Sequence, residues 1–183
     1  NPVVRKALTA DGGKQKGKKK TAAAPKKDER SFEDVLLDTW DLGADADTKP
    51  LLAALTKKTV NFHTKDDSWT PCMVLSAIGV ANTKECLAKC KGLGGNPAAV
   101  DKEGWNALHW AAFHGSPAGA TYLLSDDGYG GIKLGLAAAK DKEGKSALDH
   151  AKAEGNTEVA TVIENALASG EAPASDDGLR KRK

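Results

Sequence analysis

Residues 101–125 read DKEGWNALHWAAFHGSPAGATYLLS, and the opening of this stretch returns as DKEGKSALDHAKAEG at residues 141–155. The two copies share Asp-Lys-Glu-Gly, then Ala-Leu, then an alanine and a glycine, all at the same offsets. A weaker third copy, TPCMVL at residues 70–75, precedes them. Self-similarity of this kind indicates one small supersecondary unit that is repeated, and such a unit buries its apolar face only against its neighbours.

The motif that opens the first helix of each copy resembles that of the ankyrin repeat. The Thr-Pro-Leu-His-x-Ala signature appears as NALHWA at residues 106–111 and more weakly as SALDHA at residues 146–151. The upstream copy at residues 70–75 keeps the Thr-Pro pair and has lost the histidine. The resemblance implies an all-α ankyrin-repeat solenoid, in which pairs of helices are joined by β-hairpin-like loops.

Spacing and glycines locate the turns between these helices. Gly104 and Gly144 fall where a tight turn needs a positive φ, whereas Ser68 occupies that place in the upstream copy and predicts an irregular turn. The copies are 36 and 40 residues apart, longer than the roughly 33 of a typical unit. The polar, glycine-rich stretch DDGYGGIK at residues 126–133 therefore predicts an expanded loop.

The chain divides into four predicted segments. Residues 31–58 form N-terminal capping helices, because Ser31 and Asp34 predict a capping box and Pro50 suits a first helical turn. Residues 59–168 hold the repeats, residues 1–30 a basic arm, and residues 169–183 a tail with a basic end.

Charge is strongly segregated along the sequence. Residues 1–30 contain ten Lys or Arg and three acidic residues, whereas residues 31–179 contain thirteen basic and twenty-two acidic residues. The arm has too few apolar residues to fold alone. Three interpretations stay open for it: a solvated or nuclear-import tail, a segment that binds RNA or DNA phosphates, and a segment on anionic lipid. The predicted anion-binding residues are Lys14, Lys16, Lys18, Lys19, Lys20, Lys26, Lys27, Arg180, Lys181, Arg182 and Lys183.

The search for catalytic, metal or cofactor chemistry predicts none. Asp149 and His150 are adjacent on a helix and do not face each other, and His109 matches the repeat histidine, for which the resemblance implies a structural role. Cys86 and Cys90 share a helix face as a metal pair would, but the histidines lack matching ligand spacing, which favours buried structural cysteines. Three cysteines without a disulfide pattern indicate a reducing compartment, cytoplasmic or alternatively nuclear. No apolar run is long enough for a membrane helix.

The resemblance implies that protein partners bind at the hairpin tips and on the concave face of the first helices. Carried over position by position, the predicted contact residues are Lys102, Glu103, Trp105, Phe113, His114, Asp66, Asp67, Trp69, Ile78, Lys142, Glu143 and Lys145. Trp69 and Trp105 share one repeat position. They are either exposed binding residues or half-buried covers of the hairpin base, and both interpretations stay open.

Two functions remain on this evidence. One is a non-catalytic adaptor or scaffold that binds a protein on its concave face. The other is a structural subunit of a large ribonucleoprotein assembly, whose lysine-rich arm contacts RNA.

Overall fold

The computed structural model describes residues 30–170, which form eight α-helices and, in that range, no β-strand. The helices are α1 (Phe32–Leu42), α2 (Lys49–Ala54), α3 (Pro71–Ala77), α4 (Thr83–Gly92), α5 (Ala107–Phe113), α6 (Pro117–Leu124), α7 (Ala147–Ala153) and α8 (Thr157–Ser169). The all-α prediction is confirmed. The predictions for the arm and the basic tail end, from Lys14 to Lys27 and from Arg180 to Lys183, lie outside the described residues.

The polar residue that opens each repeat motif is an N-cap. The side chain of Asn106 accepts hydrogen bonds from the backbone N–H groups of Leu108 and His109, at 2.9 and 3.1 Å. Ser146 caps α7 in the same way and in turn donates its own N–H to Asp149, at 2.8 Å. Such caps stabilise a helix by about 0.5–2 kcal/mol each. They fix where short helices of seven residues begin.

The helices stack in two layers. The inner helices α3, α5 and α7 lie side by side, and the outer helices α4, α6 and α8 pack behind them. Leucines and one isoleucine with essentially no exposure fill the space between the layers: Leu75, Leu87, Leu108, Leu123 and Ile163. Most alanines of the inner helices are also buried and allow the backbones to approach closely: Ala77, Ala107, Ala111, Ala112, Ala147 and Ala151.

The hairpins before α5 and α7 are joined by backbone hydrogen bonds. Each is closed by an aspartate whose N–H bonds to a carbonyl four residues on, Asp101 to Trp105 at 3.1 Å and Asp141 to Lys145 at 2.9 Å. Gly104 and Gly144 have φ values of +84° and +78°, as predicted. The N–H of Lys142 also donates to the carbonyl of Glu103, at 3.1 Å. Consecutive hairpin tips are thus held in one row.

The first hairpin is one residue longer than the other two. Its closing bond runs from the N–H of Thr64 to the carbonyl of Trp69, at 3.0 Å, so five positions separate the pair instead of four. Ser68 takes the place of the turn glycine and has a φ of +62°. This confirms the irregular turn that Ser68 predicts, because a residue with a Cβ is strained in that conformation.

The expanded loop after α6 is packed onto the stack. It runs in turns from Asp126 to the third hairpin, and Lys91 of α4 donates its ammonium to the carbonyls of Asp127, at 3.1 Å, and Gly128. A Cβ on Gly128 would lie 1.7 Å from the carbonyl oxygen of Tyr122, so the loop needs a glycine there. The prediction of an expanded loop is confirmed.

The N-terminal helix packs on the first repeat. Ser31 and Asp34 form the predicted capping box, and Val35 and Leu36 are buried where α1 meets α2 and α3. Glu33 ties α1 to the first hairpin by accepting the N–H of Lys65, at 2.8 Å. None of the helices between residues 30 and 170 has both the length and the apolarity needed to cross a membrane.

Candidate functional site

A row of aromatic rings crosses the inner-helix side of the stack. It starts at Trp40 near the end of α1, whose ring centroid lies 5.7 Å from Trp69, 5.0 Å from Trp110 and 4.8 Å from His114, each in an edge-to-face arrangement. His114 in turn lies 5.0 Å from Phe113. Such pairs each contribute about 0.5–1.5 kcal/mol beyond the area they bury.

The row continues into the third repeat. The ring of Phe113 lies 5.0 Å from Trp105, and Trp105 lies 4.5 Å from His150 on α7. We call these seven residues the aromatic row: Trp40, Trp69, Trp110, His114, Phe113, Trp105 and His150. The contacts follow the repeat, because Trp69 packs on Trp110 of the next inner helix just as Trp105 packs on His150.

Two buried aspartates anchor this row to the hairpins. Asp101 accepts a hydrogen bond from Trp110 Nε1 on its Oδ2, at 2.8 Å. Asp141 accepts two on the same oxygen, from Trp105 Nε1 at 3.1 Å and from His150 Nε2 at 2.7 Å. Its other oxygen accepts the backbone N–H groups of residues 143 and 145. Burial acts to raise the pKa of Asp141, but these hydrogen bonds outweigh it and lower the pKa to about 2.

Sequence reasoning missed both anchors. It examined Asp149 with His150 as an adjacent pair and ruled that pair out correctly, since Asp149 instead caps α7 through Ser146. The true partner of His150 is nine residues away, at Asp141. The repeat contained a pattern that could have identified this pair, because Asp101 and Trp110 have the same nine-residue spacing at the equivalent positions of the previous repeat.

The predicted contact residues of the inner face differ in exposure. His114 is exposed, whereas Phe113, Trp105 and Trp69 are half-buried. Of the two interpretations of the tryptophans, the half-buried cover fits better, since both rings pack on a neighbouring repeat. Each still presents part of its surface to solvent.

One predicted contact residue is wrong. Ile78 is 5% exposed and Ala77, beside it, is 4% exposed, although their equivalents in the central repeat are His114 and Phe113. α1 packs against α3, and both Ala77 and Ile78 belong to the buried core. Repeat periodicity carries no information about this covering helix.

The predicted tip residues are all exposed: Asp66, Asp67, Lys102, Glu103, Lys142, Glu143 and Lys145. The backbone bonds between successive hairpins bring them together along one edge, for example from Lys102 N–H to the Asp67 carbonyl at 3.1 Å. Lys145 pairs with Glu143 at 2.7 Å. Both signs of charge therefore alternate along this edge.

The histidine and cysteines considered for chemistry are structural. His109 is fully buried; its Nε2 lies 3.3 Å from the carbonyl oxygen of Lys145, and its Nδ1 accepts the N–H of Asn106. Burial lowers the pKa of His109 and raises the pKa values of Cys86 and Cys90, so none of these groups is poised for acid–base or nucleophilic chemistry near neutral pH. Within residues 30–170, no three His, Cys, Asp or Glu side chains are placed to hold a metal ion.

Comparison with known proteins identifies the repeat. A family model described as ankyrin repeats, in three copies, matches residues 42–134, about half of the chain. A search of curated proteins returned no match. The helix pair α7 and α8 lies beyond the matched range but repeats the same N-cap and hairpin geometry.

Proposed function

Because the chain belongs to the ankyrin-repeat family, we propose that its repeats form a non-catalytic interaction module that binds a segment of a protein partner on the concave side. Ankyrin repeats generally mediate protein–protein interactions. The observation that carries the proposal is the solvent-accessible part of the aromatic row, formed by Trp105, Phe113 and His114. Partly exposed aromatic side chains beside a polar rim are the usual anchors of protein interfaces.

The position of α1 limits where on the inner side of the stack a partner can bind. α1 packs against α3 and Ile78 is buried, so the accessible part of the inner side begins at His114 and continues towards Glu154, the C-cap of α7. Both of these residues are exposed. We define the binding strip as Trp105, Phe113, His114 and Glu154. It lies on the second and third repeats rather than on the first.

The rings of the strip are held in place before any partner arrives. Trp105 is fixed by its hydrogen bond to Asp141 and by its contact with His150, and Phe113 is fixed between Trp105 and His114. Binding to side chains that are already ordered loses less conformational entropy, which favours affinity. The rim charges Lys102 and Glu103 affect specificity and association rate more than affinity.

The test compares affinity capture of partners by the parent chain and by a Phe113→Ala, His114→Ala double variant. We expect the variant to retain its fold and to lose most of the captured partner. Leu134→Ala is the matched control, because Leu134 is an exposed apolar residue, 52% accessible, in the loop after α6. Equal capture by the parent and the double variant would contradict the binding strip, provided that both melt as folded proteins.

A charge change at the rim tests the strip without touching the core. In Lys102→Glu, Lys142→Glu, two exposed side chains reverse sign. We expect a slower association with the same partner and a changed dependence on salt, since rim charges act by steering.

We propose a second role on the basis of charge alone, contact of the lysine-rich arm with RNA in a ribonucleoprotein particle. The arm, residues 1–30, carries ten Lys or Arg and three acidic residues, whereas residues 31–170 carry thirteen and nineteen. Contacts between lysines and phosphates release counterions, so affinity falls with salt. Sedimentation from native lysate with and without RNase tests this role. Deletion of residues 1–30 should then remove the RNase-sensitive fraction, and an unchanged profile would exclude the role.

A further inference from the structure

The binding strip lies where several helices end. His114 and Glu154 are the C-caps of α5 and α7. Trp40, in the last turn of α1, brings a third helix end to the same place through its ring contact with His114, at 4.8 Å. A helix C-terminus carries a partial negative charge that a nearby cation offsets. Since neither α1 nor α5 has a basic residue in its last turn, the ends of these helices favour a cation from outside the stack.

Glu154 adds a full negative charge beside the rings of the strip. It lies one turn after His150, since its N–H donates to the His150 carbonyl at 3.0 Å, and the ring of His150 is 6.1 Å from that of Phe113. Within residues 30–170, the carboxylate of Glu154 forms no ion pair. Lys152, two residues earlier, pairs instead with Glu164 of α8, at 2.8 Å. The described part of the stack therefore leaves the charge of Glu154 on the strip.

The imidazole of His114 does not supply a compensating positive charge at neutral pH. Desolvation lowers the pKa of His114, while the charge of Glu154 acts in the opposite direction. The neutral ring therefore extends the aromatic surface formed by Phe113 and Trp105. The strip thus combines three partly accessible rings with one carboxylate.

We propose that the partner segment anchors on the binding strip through an arginine or lysine side chain, an assignment that rests on the proposed function and adds the chemistry of its partner. The aliphatic stem of such a side chain packs on apolar surface while its charged head extends beyond it. A cation over a ring face is also attracted by the ring electrons. An acidic anchor would be repelled by Glu154 and by the helix ends.

The lysines of the hairpin tips do not occupy this site. Lys102 and Lys142 lie in the hairpins that precede the N-terminal ends of α5 and α7, whereas His114 and Glu154 lie at the C-terminal ends. The tips therefore act on other residues of the partner, and one cationic side chain is sufficient for the anchor.

Selection of short random peptides displayed on phage, with the parent chain immobilised, tests the anchor. We expect the enriched peptides to share an arginine or lysine next to an apolar residue and to lose binding to the Phe113→Ala, His114→Ala variant. Selection on Glu154→Gln should no longer favour the basic residue. Glu85→Gln is the matched control, because Glu85 is an exposed carboxylate on outer helix α4, and it should enrich the same peptides as the parent.

The contact with Glu154 is then measured with an enriched peptide and its uncharged analogue, in which citrulline replaces arginine or acetyl-lysine replaces lysine. We expect loss of the charge to weaken binding about fivefold in the parent and less than about twofold in Glu154→Gln, since exposed ion pairs and cation–ring contacts are of this size. Fluorescence anisotropy of the labelled peptides gives the four affinities.

The possible outcomes separate the anchor from the binding strip. Peptides that depend on Phe113 and His114 but share no basic residue would overturn the cationic anchor and leave the strip intact. A library that yields no peptide dependent on these two rings would overturn the strip and the anchor together. Equal loss of affinity in the parent and in Glu154→Gln would also overturn the anchor, because the cation would then bind elsewhere.

Discussion

His150 and Asp141 form a buried pair, with His150 Nε2 2.7 Å from Asp141 Oδ2 and side-chain exposures of 8% and 1%. The pair joins inner helix α7 to the hairpin that precedes it. Trp105 of the previous repeat donates to the same carboxylate oxygen, so this one carboxylate connects two repeats. In a stack where each repeat contacts only its neighbours, such a connection sets how cooperatively the repeats unfold.

Removal of this carboxylate should destabilise the chain strongly. We expect Asp141→Ala to lower the free energy of unfolding by about 1.5–3 kcal/mol or more, because several hydrogen bonds to a buried carboxylate are lost and one bond to a charged group contributes about that much. A double-mutant cycle with His150→Ala, measured by urea unfolding, should give a coupling energy of about 0.5–3 kcal/mol. The control is the exposed pair of Lys140 and Asp149, where Lys140→Ala should change stability by less than about 1 kcal/mol. Equal effects at the two pairs would refute the connecting role of Asp141.

The lowered pKa of Asp141 predicts how the free energy of unfolding depends on pH in the acidic range. Its pKa is about 2 in the folded chain, against about 3.9 for an unfolded aspartate. Its contribution is therefore complete above about pH 4 and is lost as the pH falls through 2. Urea unfolding at a series of pH values from 5 to 2 should show a smaller loss of stability in Asp141→Asn than in the parent. Parallel curves would mean that Asp141 does not carry this dependence.

The sequence predicts the features that recur within each repeat but not the contacts between repeats. Positions within one unit were predictable, because the N-caps Asn106 and Ser146 and the turn glycines Gly104 and Gly144 recur at fixed offsets and serve local hydrogen bonding. Contacts between one unit and the next were not predictable. The hydrogen bond from Trp105 Nε1 to the Asp141 carboxylate is an example. They depend on how the units stack, which local patterns do not specify.

A second pH effect arises near neutrality from His109. Burial lowers its pKa, so the unfolded chain, with a histidine pKa of about 6.5, binds the proton more readily. Stability is therefore complete above about pH 6.5 and falls as the pH drops below it. We expect His109→Gln to reduce the slope of unfolding free energy between pH 7.5 and 5, measured by urea titration. A slope that is the same in parent and variant would show that another group titrates there.

The first and third hairpins offer a matched pair of opposite substitutions. Ser68 has a φ of +62°, and the hydrogen bond that it donates at its N–H to the Thr64 carbonyl is one that glycine retains. Relief of the left-handed strain in Ser68→Gly should stabilise the chain by up to about 1 kcal/mol. Gly144→Ser introduces the same strain at φ +78°, where a Cβ meets no atom within 4 Å, and should destabilise by about 1–2 kcal/mol. Thermal melts that move in the same direction for both variants would contradict the conformational explanation.

The position of α1 is the feature least accessible to sequence reasoning, and it decides which part of the inner face is open. Trp40 holds the end of α1 through ring contacts with Trp69, Trp110 and His114. The sequence does predict the capping box at Ser31 and the helix that follows. It does not predict that this helix packs against α3, because that contact depends on packing between non-equivalent elements.

Trp40→Ala tests whether these rings keep α1 on the first repeat. Loss of a half-buried tryptophan and its three ring contacts should destabilise the chain by about 3 kcal/mol. Because α1 would then be held less tightly on α3, amide hydrogen exchange in residues 71–78 should accelerate while residues 107–113 change less. Leu42→Ala is the control on the same helix, since Leu42 is 60% exposed and lies just after the ring contacts. If Trp40→Ala leaves exchange in α3 unchanged, α1 is held by Val35 and Leu36 alone. Faster exchange would instead show that the ring contacts of the aromatic row hold α1 on the first repeat. A partner would then be confined to the second and third repeats.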